Sequence, residues 1–192
     1  MSEPVRIPLR ARDGAVRGYA LVDAVDAEWV NQHRWHMTRK GYARRCVWVN
    51  GQVRGFSLHR EVLGLTREDP VDVDHINRDR LDCRRENLRA LPKGATAQNT
   101  GGWRNASSQY RGVSWDRASG KWAAKIRVGS RAEGKLRNLG RFNSEIEAAE
   151  VARAARARLM PYSVEPTVSA AASPAARRGV SATKKKAAVS AN

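Results

Sequence analysis

The stretch that begins at Asp74 constrains this chain more than any other part of it. Asp74 stands directly before His75, and Asn87 and Asn99 follow at successive intervals of twelve residues. Apart from Leu81, the residues between His75 and Asn87 are polar and typical of a loop. An acid, an imidazole and two amides in this pattern indicate a site for chemistry, and the hydrolysis of phosphodiester bonds is the reaction that it fits.

Phosphodiester hydrolysis needs a base, a cation and a fixed orientation for the base. His75 fits the base, because an imidazole with a pKa of about 6.5 is mostly neutral at pH 7. The Asp74 carboxylate and the Asn99 side-chain carbonyl are hard oxygen donors, which suit Mg²⁺. Asn87 fits a brace for the loop, so that a backbone carbonyl orients the imidazole. Taken singly, these residues fit a strand end and ordinary turns equally well.

Together, Asp74-His75, Asn87-Leu88-Arg89 and Asn99 resemble the HNH motif of phage and intron-encoded homing endonucleases, in the variant whose last motif residue is Asn. The resemblance implies a ββα-metal unit, with His on a hairpin strand, a loop braced by the middle Asn, and a helix carrying the last residue. It implies that His75 and Asn87 are catalytic, as general base and loop brace. It further implies that Asp74 and Asn99 hold one divalent ion, Mg²⁺ or Mn²⁺.

The other histidines and the two cysteines are further candidates for a site. Similar nucleases often carry a His-Arg pair before the active strand, so His59 and Arg60 are expected to have a supporting role, such as a contact to phosphate. His33 and His36 could form half of a zinc site, but no second cluster completes one. Cys46 and Cys83 form no CxxC pair, so neither a disulfide framework nor a cysteine-based zinc site is predicted.

The charge of the chain points to a polyanionic partner. It has 36 Lys and Arg against 19 Asp and Glu, a net charge of +17, and a surplus of this size favours phosphate backbones. On charge alone, an acidic protein or a membrane surface fits equally. No apolar run is long enough to span a membrane and the first residues lack a hydrophobic signal core. A soluble, cytoplasmic protein, phage-encoded and acting in the host cell, is expected.

The region before the motif is predicted to be rich in β-strands. Short apolar stretches alternate with turn residues over residues 1–65, and Asn50-Gly51 between alternating residues favours a hairpin. Trp29, Trp35 and Trp48 are expected in the core, because aromatic side chains supply most of the buried area of a small β unit. This leader and a core of about residues 66–100 make up a predicted nuclease domain over residues 1–100.

A second unit is predicted over residues 109–162, after a linker at 101–108. Three stretches of alternating residues read as antiparallel strands, and Ser144 with Glu147 forms a capping box for a following helix. That helix carries a mostly alanine stripe suited to close packing on a sheet: Ala148, Val151, Ala152, Ala155 and Leu159. Lys121, Lys125 and Arg127 alternate onto the opposite, uncovered face of the middle strand. From Ser163 to Asn192 the chain lacks large apolar residues and is predicted to be a disordered basic tail.

The second unit resembles the AP2-like DNA-binding domain. The resemblance rests on Tyr-Arg-Gly-Val, Gly-Lys-Trp-Ala-Ala-Lys-Ile-Arg, Leu-Gly-Arg-Phe and the alanine-rich helix, in that order. A three-stranded sheet of this kind reads the major groove with one face. The residues that the resemblance assigns to DNA binding are Arg111, Trp115, Arg117, Trp122, Lys125, Arg127 and Arg137.

These observations predict an α+β protein in two units that acts as a metal-dependent DNA endonuclease. Double-stranded DNA is the predicted partner. No obligate protein partner and no membrane are implied, and a monomer or weak dimer with one active site per chain is expected to nick one strand. Two alternatives stay open: a non-catalytic, sequence-specific DNA-binding regulator on an HNH scaffold, and an RNA-binding protein, since a basic sheet with aromatics can stack unpaired bases.

Overall fold

The computed structural model describes residues 3–101, 106–129 and 134–165, which form a mixed α/β fold made mostly of strands. Gly102–Asn105 in the predicted linker and residues 166–192 of the predicted tail lie outside the described residues. Among the helices of the described residues, none has the length and apolar character that crossing a membrane requires.

The leader forms two small antiparallel sheets and two short helices. The elements are β1 (Val5–Arg10), β2 (Val16–Val22), α1 (Ala24–Asn31), β3 (His36–Met37), β4 (Ala43–Val49), β5 (Gln52–Ser57) and α2 (Leu58–Val62). β1 pairs with β2, and the second sheet has the order β3-β4-β5. The predicted Asn-Gly hairpin is confirmed: Asn50 and Gly51, with φ of 51° and 74°, connect the Val49–Gln52 pair, as a turn with two positive φ angles requires.

The nuclease hairpin follows and consists of β6 (Val71–His75) and β7 (Leu88–Pro92) in antiparallel pairing. Where the resemblance implied an α-helix for the last motif residue, the chain forms a four-residue 3₁₀ helix, Ala95–Gln98, and Asn99 follows it directly. The physical reason is local: Gly94 takes the left-handed conformation at φ 82°, and Thr100 and Gly101 after Asn99 are poor helix formers.

The leader and the nuclease hairpin share one hydrophobic core. Trp35 is 1% exposed at its centre, and Cys83 and Leu88 from the motif region pack into the same cluster as the strands of the leader. The loop between β6 and β7 is also joined to β2 by two backbone hydrogen bonds of 2.8 Å, from Leu21 N to Leu81 O and from Cys83 N to Leu21 O. The leader therefore fixes the loop of the candidate site.

Two of the three tryptophans that were predicted to lie in the core do so. Trp35 is buried, and Trp29 packs partly against the same core. The expectation for Trp48 is wrong: its side chain is 74% exposed, because Trp48 alternates onto the face of β4 that carries Arg44 and Cys46 rather than onto the face of Val47 and Val49.

The second unit contains β8 (Val113–Asp116), β9 (Lys121–Val128), β10 (Lys135–Phe142) and α3 (Glu145–Leu159), with antiparallel sheet order β10-β9-β8. The Ser144 hydroxyl accepts a hydrogen bond from the Glu147 backbone N–H at 3.4 Å and caps the helix. Ala148 and Ala152 pack against Val113 and Ala124. Lys121, Lys125 and Arg127 are exposed on the other face, as predicted, whereas Ala123 on that same face is buried.

After α3, residues 160–165 return to the nuclease hairpin, and we call them the strap. The backbone N–H of Tyr162 donates to Gln98 Oε1 at 3.1 Å. Arg156, which is 5% exposed on the sheet-facing side of α3, binds both carboxylate oxygens of Glu165. The first residues of the segment predicted to be a free tail are thus held by specific contacts.

Candidate active site

Asp74 and His75 end β6 at the wall of a cleft of about 1000 Å³. They are 8% and 4% exposed. The other charged side chains around the cleft are mostly cationic: Arg39, Lys40, Arg44, Arg60, Arg78 and Arg80, against Asp72. A cleft with one sign of charge concentrates a polyanionic ligand over the two buried motif residues.

The Asp74 carboxylate is held on one side only. Its Oδ2 accepts hydrogen bonds from Arg89 Nε at 2.9 Å and Nη2 at 2.7 Å, and from Asn99 Nδ2 at 3.1 Å. Arg89 also donates to the carbonyl of Tyr162 in the strap. Within the part of the chain that the structure describes, no group donates to Asp74 Oδ1. That oxygen keeps a lone pair for a cation or a water.

The side-chain amide of Asn99 holds the end of β6 in place. Its Nδ2 donates to the carbonyls of His75 at 2.9 Å and Ile76 at 3.1 Å as well as to Asp74. Its Oδ1 accepts from Arg78 Nε at 3.0 Å, and Arg78 in turn donates to the carbonyl of Val164 in the strap. Every polar atom of the amide has a partner, so Asn99 fixes the direction of Asp74 and His75.

Asn87 closes the loop between the two strands. Its Oδ1 accepts from the Asn77 backbone N–H at 2.9 Å, and its Nδ2 donates to the Asp82 carbonyl at 2.7 Å. The structure therefore places Asn87 where the predicted loop brace was expected. The second half of that expectation is not met, because no described backbone carbonyl accepts a hydrogen bond from the His75 ring. Packing holds the ring instead, with centroid distances of 5.2 Å to His59 and 5.9 Å to Tyr42.

The two ring nitrogens of His75 have different surroundings. Nε2 is buried without a hydrogen-bond partner among the described residues, and so is Nδ1 of His59. Nδ1 of His75 is not among these buried atoms, so it is the nitrogen that a cleft water can reach. Burial lowers the pKa of His75 below its ordinary value, while Asp74, Asp79 and Asp82 act in the opposite direction. The ring is neutral at pH 7, as a proton acceptor must be.

The guanidinium of Arg60 binds backbone groups of the protein itself. Its guanidinium donates to the backbone carbonyls of Thr66, Asp69 and Val71, the last at 2.7 Å, and so shapes the approach to β6. His59 lies against His75, as described above. The structure thus brings both predicted supporting residues to the site, with Arg60 as a positioning residue.

The burial of His59 has a consequence for stability that can be measured. Burial, followed by the charges of His75 and Arg60, lowers the pKa of His59 to about 3, and Tyr42 packs on its other side. Below pH 6.5, His59 binds a proton in the unfolded chain but stays neutral in the folded chain. The contribution of His59 to the free energy of unfolding is therefore fully present above pH 6.5 and is lost as the pH falls towards the pKa of His59 in the folded chain. Between pH 6.5 and pH 5 we expect a loss of up to about 2 kcal/mol from His59.

Urea unfolding at pH 7 and pH 5 tests this, because carboxylates of ordinary pKa stay ionised over that range. The variant His59→Asn should show a smaller difference between the two pH values than the wild-type chain. An unchanged difference would assign the acid sensitivity to other groups.

Residues 67–98 match the family model of HNH endonuclease. The matched segment contains Asp74, His75, Asn87 and Arg89 and ends one residue before Asn99. It is a minor part of the 192-residue chain. A comparison with curated proteins and a comparison with solved structures each found no match. The match supports a nuclease that hydrolyses DNA, and nucleases of this family generally use a divalent metal.

The described residues fit a divalent ion in part. No group of three or more His, Cys, Asp or Glu side chains in the ranges 3–101, 106–129 and 134–165 is arranged to hold a metal. Asp74 Oδ1 fits one ligand, and Mg²⁺ keeps several of its waters and needs few protein ligands. The predicted second ligand, Asn99, has its oxygen bonded to Arg78.

Three of the residues predicted to bind DNA are exposed on the second unit, and one of them, Arg127, also donates to the Gly134 carbonyl at 2.7 Å. Lys125 and Arg127 are exposed on the open face of the sheet, and Arg117 is exposed in the turn between β8 and β9. Arg137 is exposed too, but it pairs with Ile126 and so belongs by register to the face that α3 covers. Arg141, on the open face opposite Ala123, is a further exposed cation, and its guanidinium forms an ion pair with Asp116 at 2.6 Å.

The other three predicted DNA contacts have partners within the protein. Trp122 packs against the core of the second unit, and Trp115, 41% exposed, stacks edge-on against it with ring centroids 5.0 Å apart. Arg111 is half-buried and donates to the Gln98 carbonyl at 2.9 Å and to Ser163 Oγ at 3.0 Å. The contacts of Arg111 join the second unit to the nuclease hairpin.

Proposed function

We propose that this chain is a metal-dependent DNA endonuclease of the homing type that nicks double-stranded DNA, with His75 as the general base. The observation that carries the proposal is the pairing of a buried, neutral His75 with the half-free carboxylate of Asp74 in a cationic cleft. Both residues lie in the segment that matches HNH endonuclease.

The surroundings of His75 suit both the neutral ring that accepts the proton and the protonated ring that results. Desolvation keeps the ring neutral before reaction, so that Nδ1 accepts a proton from water in the cleft. Once the ring is protonated, the carboxylates of Asp74, Asp79 and Asp82 stabilise its positive charge. Asn87 and Asn99 hold the backbone on either side of His75, which keeps the ring at a fixed place relative to the cleft.

Asp74 would hold the divalent ion through Oδ1, and Asn99 would join it only by releasing Arg78. When bound, the ion neutralises charge on the scissile phosphate and on the leaving oxygen. Arg39, Lys40 and Arg80, which are exposed at the cleft, would contact the neighbouring phosphates of the strand.

The second unit would place the cleft on the duplex. Its open face carries Lys121, Lys125, Arg127 and Arg141, of which Arg141 is paired with Asp116. A cationic three-stranded sheet of this kind can enter a major groove. Arg117 and Arg137 would contact the backbone at its margins. The hydrogen bonds of Arg111 and the strap to Gln98 fix this sheet relative to the nuclease hairpin, so that binding by one unit orients the other.

The test is the conversion of supercoiled plasmid by the purified full chain with Mg²⁺ or Mn²⁺. We expect open-circle product with metal and none with EDTA, because the cleft alone cannot neutralise the leaving oxygen. The plasmid should carry DNA from the source genome, so that a sequence-specific enzyme meets its target. Binding that leaves the plasmid supercoiled with either metal would contradict the proposal and favour a DNA-binding regulator. Preference for single-stranded RNA over duplex DNA would contradict it in favour of an RNA-binding protein.

A further inference from the structure

The outer part of the β4–β5 hairpin exposes an apolar pair that the fold does not use. β3 pairs only with Ala43 and Arg44, so residues 45–56 extend beyond it as a two-stranded ribbon, which we call the outer ribbon. Trp48 and Val53 face each other across it and are 74% and 57% exposed. A tryptophan left in water forfeits the largest burial that any side chain offers, so its exposure needs a partner to explain it.

The exposed face of the outer ribbon is continuous with the candidate active site. Arg44 and Ser57 form a register pair and both line the cleft. Because alternate residues of a strand share a face, the pairs Cys46–Gly55 and Trp48–Val53 lie on that same face, progressively further out. The guanidinium of Arg44 lies directly over Gly55, where a side chain would meet Arg44 Nη2 at 2.0 Å. A single surface therefore runs from His75 past Arg44 to Trp48.

We propose that this surface binds duplex DNA beside the cut, with Arg44 on a backbone phosphate and the Trp48–Val53 pair against sugars and bases. The proposal rests on the proposed function and extends it to a second DNA contact. Four residues of strand span about 13 Å, so Trp48 contacts the duplex about four base pairs beyond Arg44, at 3.4 Å per pair. A two-stranded ribbon fits the width of the major groove.

Duplex DNA fits this surface better than a second copy of the chain does. The apolar area is limited to one tryptophan and one valine, whereas a stable dimer buries about 800 Å² on each partner. The cations that continue the surface into the cleft, Arg44, Arg39 and Lys40, would repel the same cations of another copy. Both features favour an occupant that is anionic and presents apolar sugar and base surfaces.

Cys46 offers a direct test, because it lies between Arg44 and Trp48 on the same face. Its thiol is exposed, while Cys83 is buried and burial raises its pKa to about 12, so a maleimide should label Cys46 alone. We expect a saturating short duplex of random sequence, at low salt, to slow this labelling at least about tenfold. Labelling at an unchanged rate, with binding verified by anisotropy in the same sample, would overturn the proposal. Slowing that depends on protein concentration without DNA would replace it with self-association.

Two variants separate the roles of the surface. Trp48→Ala should weaken duplex binding about tenfold, since burial of one large apolar side chain contributes at least this much, and should leave the salt dependence unchanged. Arg44→Ala should lower the slope of log affinity against log salt by about one, as the loss of one phosphate contact does. Val25→Ala is the matched control, because Val25 is 75% exposed on α1 and does not line the cleft. Equal affinities for wild-type, Trp48→Ala and Val25→Ala would overturn the proposal.

The failure of this proposal is distinguishable from the failure of the proposed function. Nicking of plasmid with metal, together with Cys46 labelling that the duplex does not change and a duplex affinity that Trp48→Ala does not change, would support the nuclease and overturn the ribbon contact. A chain that protects Cys46 on DNA but never nicks supports the ribbon contact and contradicts the nuclease. A chain that binds no duplex at all overturns both.

Discussion

Replacing His75 with alanine should lower the rate of metal-dependent plasmid nicking by about 10²–10⁴-fold, the usual contribution of a positioned general base. The expectation follows from the site: His75 is the imidazole beside Asp74, it is neutral through burial, and its Nδ1 can reach water. DNA affinity should stay within about twofold, because the cations of the cleft and of the second unit remain. The measurement is single-turnover nicking at saturating protein.

The control is His33→Ala, which removes a histidine that does not line the cleft and should leave nicking unchanged. A structural role for His75 is excluded by adding imidazole to His75→Ala, since free base restores proton transfer but not a collapsed loop. The pH profile adds a further check. Because the pKa of His75 lies below 6.5, wild-type nicking at pH 6.5 should exceed half of its plateau at higher pH. A variant that nicks at the wild-type rate would contradict the assignment of the base.

Those elements that the sequence predicted well depend on short-range signals. The Asn50-Gly51 turn follows from the conformations that these two residues adopt, and the start of α3 follows from the hydroxyl of Ser144. The face of β9 that carries Lys125 and Arg127 follows from the alternation of side chains along a strand. In each case the physical cause and the residues that show it lie within a few positions of one another.

The arginine contacts of the site are long-range and were not predicted. Arg89 stands in the motif, yet its choice of Asp74 and the Tyr162 carbonyl depends on residues 15 and 73 positions away. Arg78 bridges Asn99 and Val164 in the same way. One signal was available for Arg156, which follows Ala148 and Ala152 at helical spacing on the buried face of α3. A charged residue at such a position indicates a buried partner, here Glu165.

The wrong prediction for Trp48 and the unpredicted hydrogen bonds of Asn99 have a common reason. Residue type gives an average preference, and tertiary structure decides which preference is used. Trp48 is a residue type that usually lies in the core, but its position in β4 places it on the exposed face of the strand. Asn99 has the oxygen of a metal ligand, but in the structure that oxygen accepts from Arg78 and the amide nitrogen donates to three acceptors.

Asn99→Asp separates the brace from the ligand, because the two side chains have the same shape. Aspartate cannot donate, so the Ile76 carbonyl would lose its partner and the His75 carbonyl would keep only the Arg78 backbone N–H. A second carboxylate would also stand about 3 Å from Asp74 Oδ2. We expect the free energy of unfolding to fall by at least about 2 kcal/mol without metal, since an unsatisfied acceptor costs about 1–3 kcal/mol and the repulsion between the two adjacent carboxylates adds to that cost. Urea unfolding with EDTA measures this. Asn138→Asp is the matched control, because Asn138 is exposed and its side chain accepts from Gly140 N–H, which aspartate also does.

Magnesium then gives the two roles opposite signatures. In a braced site the new pair of carboxylates repels itself, and a cation between them relieves the repulsion, so Mg²⁺ should raise the melting temperature of Asn99→Asp more than that of the wild-type chain. The variant without metal should remain the less stable protein. If Asn99 serves only as a ligand, the substitution should leave the metal-free protein as stable as Asn138→Asp and simply strengthen Mg²⁺ binding. Stability without metal is therefore the deciding quantity, and the three hydrogen bonds donated by the Asn99 amide predict its loss.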